Sequence, residues 1–129
     1  MTYQVLVKRE SRYPLDQKKI KKMVEEVLRE QGLKGNVEVS LAVVGDRKMR
    51  QLNLKYRKIN QTTDVLAFPQ EVAGRTNSFV NPPDEVLRLG DIVISYPQVV
   101  VEAAAENKLV EEKIDELIRH GLSNLIGIG

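Results

Sequence analysis

Apolar residues recur along this chain with two periods, and the switches between them divide it into elements. Tyr3-Gln4-Val5-Leu6-Val7-Lys8-Arg9 alternates in part and predicts a strand over residues 3–9. Pro14 and Asp16 then open a helix, with Asp16 placed to cap it. Ile20, Met23, Val24, Val27 and Leu28 follow helical spacing and form one apolar stripe. Gly32 suits the left-handed residue that closes such a helix. Over residues 37–44 the period falls to two: Val37, Val39, Leu41 and Val43 share one side, while Glu38 and Ser40 face the other, as in a half-buried strand. Gly45-Asp46 turns the chain and caps a second helix of roughly ten residues, with Met49, Leu52, Asn53 and Tyr56 expected on its buried side.

The second half repeats this alternation of elements. Thr63 to Phe68 is a short β-prone run stopped by Pro69. Residues 70–86 hold Gly74, Asn77, Asn81, Pro82 and Pro83 and read as a long loop, a length often tied to function. Asp91-Ile92-Val93-Ile94-Ser95 predicts a fourth strand. Ser95 and Pro97 then suit the start of a helix running to about Asn107. A last helix is expected from near Val110, its buried stripe marked by Ile114, Leu117, Ile118, Leu122 and Leu125. The order β-α-β-α-β-loop-β-α-α ends on two successive helices. It favours an α+β layer, with helices packed on a small mixed four-stranded sheet, over a doubly wound sheet.

Composition narrows the class of protein. The 129 residues are 42% hydrophobic and 29% charged, which suits one compact globular domain over residues 1–129. No apolar run approaches the ~20 residues of a transmembrane helix, and the N-terminus has no readable signal peptide. No membrane partner is therefore expected. The absence of cysteine excludes disulfides and thiolate metal sites and fits a cytoplasmic protein. A formal charge of +2 does not by itself imply nucleic acid, but charge is clustered locally. Lys18, Lys19, Lys21 and Lys22 form one basic run, read as a solvated helix face. Arg47, Lys48, Arg50, Lys55, Arg57 and Lys58 form a second, which fits either a solvated helix face or a surface for nucleic-acid phosphates. Six aromatic residues in all are too few for a base-stacking platform, so any nucleic-acid contact would be mainly to backbone or shape.

The chain has one histidine, His120, on the last predicted helix, with Asn124 one turn further on the same face. The i, i+4 spacing is how a helix offers two side chains to one metal ion. It also fits a histidine on a helix flank bonded to a neighbour. Gly121 costs about 1 kcal/mol relative to alanine inside a helix, and its lack of a side chain lets another element approach closely.

Four blocks add a more specific signal: Leu52-Asn53-Leu54-Lys55-Tyr56-Arg57, Thr63-Asp64-Val65-Leu66-Ala67-Phe68-Pro69, Leu89-Gly90-Asp91-Ile92-Val93-Ile94-Ser95, and the His120-Gly121-Leu122 tail. In this order and spacing they resemble the YbeY family of bacterial rRNA maturation factors and metal-dependent endoribonucleases. The family shows L-N-x-x-Y-R, T-D/N-V-L-S-F-P, L-G-D-I-x-I and H-G-x-L-H-L-x-G-Y-D-H. The resemblance covers about residues 36–129 and implies an α+β fold of the same layout.

It also implies a chemistry. In the family, three histidines of the last motif hold zinc, and the open fourth position lets the ion lower the pKa of bound water toward ~7. Arg57 matches the motif arginine, which offers a forked cation to phosphate or developing charge. His120 and Arg57 are then the catalytic candidates, and ribosomal RNA, the small ribosomal subunit and ribosome-assembly proteins the partners. This chain departs from the pattern where zinc would bind. His120 matches the first ligand, Asn124 takes the second position, and the third ligand is absent, since its position falls one residue past Gly129. The C-terminal end is thus shorter than the family pattern. Ile128 and Gly129 replace tyrosine and aspartate, Thr62 replaces a common proline, and Ala67 the usual serine. An amide oxygen is a poor zinc ligand beside imidazole. Three readings follow: an endoribonuclease whose metal site is completed by other residues or a partner, a catalytically inactive RNA- or ribosome-binding homologue, and a shortened or altered form of a normal enzyme. A small α+β domain with no RNA role is the plain alternative.

Overall fold

Each stretch of alternation becomes a strand and each helical stripe a helix in the computed structural model, which describes residues 2–10, 12–70 and 86–127. The elements are β1 (Thr2–Arg9), α1 (Gln17–Glu30), β2 (Asn36–Val44), α2 (Asp46–Arg57), β3 (Val65–Pro69), β4 (Val86–Ser95), α3 (Tyr96–Ala105) and α4 (Val110–Ile126). The expected loop over residues 70–86 falls largely outside the described residues, as do Ile128 and Gly129. The four strands form a mixed sheet in the order β1-β2-β4-β3. β1, β2 and β4 run parallel, and β3 pairs antiparallel with β4 at the edge. No helix among the described residues is long and apolar enough to cross a membrane.

The alternation of β2 divides the molecule into two layers of side chains. Val37, Val39 and Leu41 point to the main core, which α1 fills with Val24 and Leu28 and α4 with Ile118 and Leu122. On the opposite face Met49 of α2 packs with Val44, Leu66 and Val93 in a smaller cluster. Helix ends follow the signals read from sequence. Asp16 accepts from Lys19 N at 3.1 Å, and Ser95 Oγ accepts from Gln98 N at 3.4 Å. Gly32 is left-handed at φ 74°, and Gly32 N to Arg29 O with Leu33 N to Leu28 O close α1 in the paired bonds of a Schellman turn.

Several boundaries differ from expectation, each for a local reason. β4 begins at Val86 because a bulge between Glu38 and Val39 of β2 absorbs Leu89, and Gly90 resumes the ladder at φ 132°. α3 stops at Ala105, and Asn107 turns left-handed at φ 56°. At the start of α2 the N-cap is Gly45, without a side-chain bond. The expected cap Asp46 directs its carboxylate elsewhere. Tyr56, expected on the buried side of α2, is 56% exposed. Burial fades along that helix because the sheet beneath its last turns is floored by polar Ser40 and Asp91, which leave a groove under the ring.

Candidate functional site

Strand β3 separates two sets of side chains. Ala67 lies opposite Ile92 of β4, while Leu66 lies opposite Val93 and faces the other layer. α4 crosses the Ala67 side, and Gly121 makes that crossing close. A Cβ built on Gly121 would lie 2.9 Å from Ile92 Cγ2, so a side chain there forces the helix and strand apart. The glycine sought by sequence as a point of approach is thus the contact between α4 and β4. Because Ile92 pairs with Ala67, His120 and Asn124 arrive at the same strand edge. His120, Asn124, Val65, Leu66, Ala67 and Arg57 line one cleft. His120 and Asn124 are exposed there. The small Ala67 side chain keeps its wall low.

Arg57 reaches this cleft because the 58–64 connection is tied back to α2 along its length. Arg50 Nε donates to Asn60 Oδ1 at 2.8 Å, Asn53 Nδ2 donates to Gln61 O at 2.9 Å, and Thr62 Oγ1 donates to Asp46 Oδ1 at 3.0 Å. Lys58 turns left-handed at φ 63° to end the helix. Asp46 is the hub: it also accepts from Ser95 Oγ at 2.8 Å and Gln98 Nε2 at 3.2 Å. Burial pushes the Asp46 carboxyl up, but the Ser95 and Thr62 hydroxyls and the Gln98 amide together hold it below its usual value. Sequence reading missed this hub. Its members come from α2, the 58–64 connection, β4 and α3, and no local spacing links them.

The remaining basic residues do not share one surface. Arg57 lines the His120 cleft, whereas Arg47 and Arg50 line a separate hollow with Asp46 and residues 60–62. At about 100° per residue, Lys48 and Lys55 fall on another side of α2 from these arginines. Lys55 Nζ lies 5.1 Å over the Tyr56 ring. On α1, Lys18, Lys19, Lys21 and Lys22 are exposed, and Lys19 pairs with Glu111 at 3.2 Å.

The cleft can offer a guanidinium fork and one imidazole to an anion such as a phosphodiester. It does not fit zinc in the same way. A zinc site that works on substrate takes three protein ligands, mostly imidazole or carboxylate. Among the described residues no three His, Cys, Asp or Glu side chains are placed to hold one ion. His120 and Asn124 supply one imidazole and one neutral amide.

A sequence model of the family described as Endoribonuclease YbeY matches residues 6–128. The chain is similar to an Endoribonuclease YbeY of Dehalococcoides mccartyi strain 195, 35% identical over 114 residues, covering 84% of this chain and 66% of that relative. An Endoribonuclease YbeY of Dehalococcoides mccartyi strain BAV1 is 33% identical, with 84% and 71% covered. One from Acinetobacter baumannii strain ACICU is 35% identical over 113 residues, with 88% and 69% covered. The chain therefore spans about two thirds of the length of these relatives. The solution structure of TM1509 from Thermotoga maritima superposes with a TM-score of 0.61 at 22% identity, over 96% of this chain and 73% of that one, and shows the shared fold.

Proposed function

This chain belongs to the YbeY family of endoribonucleases, and from that premise we propose that it serves ribosomal RNA maturation by binding single-stranded RNA at the edge of β3. Arg57 anchors a phosphate there, and His120 meets the same backbone from α4. The observation that carries this reading is the cleft itself: the chain brings Arg57, Ala67, His120 and Asn124 to one edge from three elements far apart in sequence. The 58–64 tethers fix the backbone between Arg57 and β3, and the planar guanidinium offers a phosphate two parallel N–H donors. The occupant is RNA on the small ribosomal subunit, a context taken from the family.

The described residues supply too few nitrogen donors for zinc, and no step of the chemistry is assigned to a metal on them. A second reading, cleavage with the metal site completed from elsewhere, is favoured by one observation. His120 and Asn124, at the family's first two ligand positions, both line the cleft. In that reading Arg57 and His120 are the catalytic residues.

Fluorescence anisotropy with a single-stranded rRNA oligomer tests the first reading. Arg57→Ala is expected to weaken binding at least about tenfold, as for loss of a charge-assisted contact of about 1.5–3 kcal/mol. Unchanged affinity would remove the cleft from consideration. Elemental analysis of the purified chain separates the two readings, since stoichiometric zinc supports cleavage and its absence supports binding alone.

A further inference from the structure

The register of the sheet places a second surface back to back with the cleft. Leu6 pairs with Ser40, Ser40 with Asp91, and Asp91 with Phe68, so these four form one row across all four strands. That row lies on the α2 side, where Leu52 and Tyr56 wall a groove above it. Leu6 is 37% exposed and Tyr56 56% exposed, so this part of the sheet is not closed by the helix. The Tyr56 and Phe68 rings meet at 5.0 Å between centroids, tilted by 59°. Phe68 packs against the smaller core cluster, while the Tyr56 ring lies more than half in solvent and contributes little to it.

Their position gives them a use that the low aromatic count spoke against: two rings do not make an extended stacking platform, but side by side they can hold one base. Tyr56 is the chain neighbour of Arg57, and Phe68 that of Ala67. The same helix and strand thus present cleft residues on one side of β3 and aromatic residues on the other. Among the described residues β3 is the edge of the sheet, so a strand of nucleic acid can pass round it from one to the other. We infer that the groove under Tyr56 is a base subsite, in which one unstacked base of single-stranded RNA packs on the Tyr56 and Phe68 rings while an adjoining phosphate sits at Arg57. This rests on the RNA-binding reading of the cleft and adds the substrate's base to it.

The polar groups fit that occupant better than an apolar peptide side chain. Asp91 and Ser40 in the floor offer acceptors to amino and ring N–H groups of a base edge. Lys8 at the margin and Lys55 above the ring are cations for the flanking phosphates. Stacking of a base on an aromatic ring outweighs the attraction of an exposed ammonium to it. A base therefore displaces Lys55 from the ring toward phosphate.

Two measurements on the full chain decide the proposal. In the first, adenosine is titrated and the ring resonances of Tyr56 and Phe68 are followed by NMR; both are expected to move upfield, also in Arg57→Ala. In the second, affinity is measured for a single-stranded RNA oligomer and for the same oligomer with abasic sites. Tyr56→Leu keeps the apolar contact and is expected to weaken the base-bearing oligomer about tenfold and the abasic one not at all. Arg57→Ala should weaken both alike. If adenosine leaves the rings unmoved, or Tyr56→Leu affects both oligomers equally, the base subsite is overturned. If Arg57→Ala binds like the native chain while the Tyr56 effect persists, the cleft reading fails and the groove stands.

Discussion

Three glycines and one asparagine separate backbone demands from chemistry at single-residue scale. Gly90 sits at φ 132°, and a Cβ there would lie 2.1 Å from Phe68 O, a backbone atom that no rotamer change can move. Gly32 has a positive φ of 74° too, but open space around it. We expect Gly90→Ala to cost about 3 kcal/mol or more, from strain and overlap together, and Gly32→Ala about 1 kcal/mol from strain alone. Urea midpoints of the two variants check this, and equal losses would contradict it. Gly121→Ala is intermediate: alanine gains about 1 kcal/mol of helix propensity, against overpacking of about 1–3 kcal/mol on Ile92. A net loss near 1 kcal/mol is expected, with His120 displaced from the cleft. Asn124→His bears on chemistry. It adds a second imidazole one turn from His120 and should raise zinc affinity measurably in a competition titration, because imidazole is the better ligand. No gain would show that these two positions do not converge on one ion.

At the scale of elements, the joint between α3 and α4 depends on a buried cation. Lys113, with its side chain 6% exposed, lies 2.9 Å from Glu106, 2.6 Å from Glu116 and 3.5 Å from Glu102. Hydrogen bonds from Lys108 and Lys113 hold the Glu116 carboxyl down at about 2, and those from Lys113 and Lys108 also lower Glu106. A lowered carboxyl stabilises the fold above its unfolded value, 4.5 for Glu116, and loses that contribution as pH falls toward about 2. Glu102 runs the other way, since burial and its hydrogen bond with Asp64 raise it. Thermal midpoints should therefore fall between pH 4.5 and 2. Lys113→Met should be less stable at neutral pH and show a shallower acid slope, and an unchanged slope would refute the assignment. This joint also marks what the chain made legible. The stripes of α1 and α4, the alternation of β2 and the caps at Asp16 and Ser95 are periodic or local, and the sequence carries them in full. The Lys113 cluster and the Asp46 hub join residues from different elements, which no period records. Tyr56 misled for a related reason: its helical phase is that of Met49, but the sheet beneath it turns polar at Ser40 and Asp91. Arg57 and His120 were readable through the family blocks, whereas the groove behind β3 follows only from the register of the strands.

At the scale of the whole molecule, a formal charge of +2 gives little long-range attraction for RNA, so binding has to come from where the cations lie. The sheet separates two basic groups. α2 carries Arg47, Arg50 and Arg57 with Lys55, and Arg57 opens on the His120 cleft. α1 packs on the opposite face of the sheet and carries Lys18, Lys21 and Lys22. If RNA follows the Tyr56 groove and the β3 edge, Lys8, Lys55 and Arg57 neutralise about three phosphates, and each contributes about −0.7 to the slope of log K against log salt for a single strand. A slope of about −2 is then expected. Arg57→Ala should make it shallower by about 0.7, while Lys21→Ala with Lys22→Ala should leave it unchanged. Affinity independent of salt would argue against any phosphate contact. Equal losses from the α1 lysines and from Arg57 would mean that RNA is held by diffuse charge, and that the cleft has no privileged place in binding it.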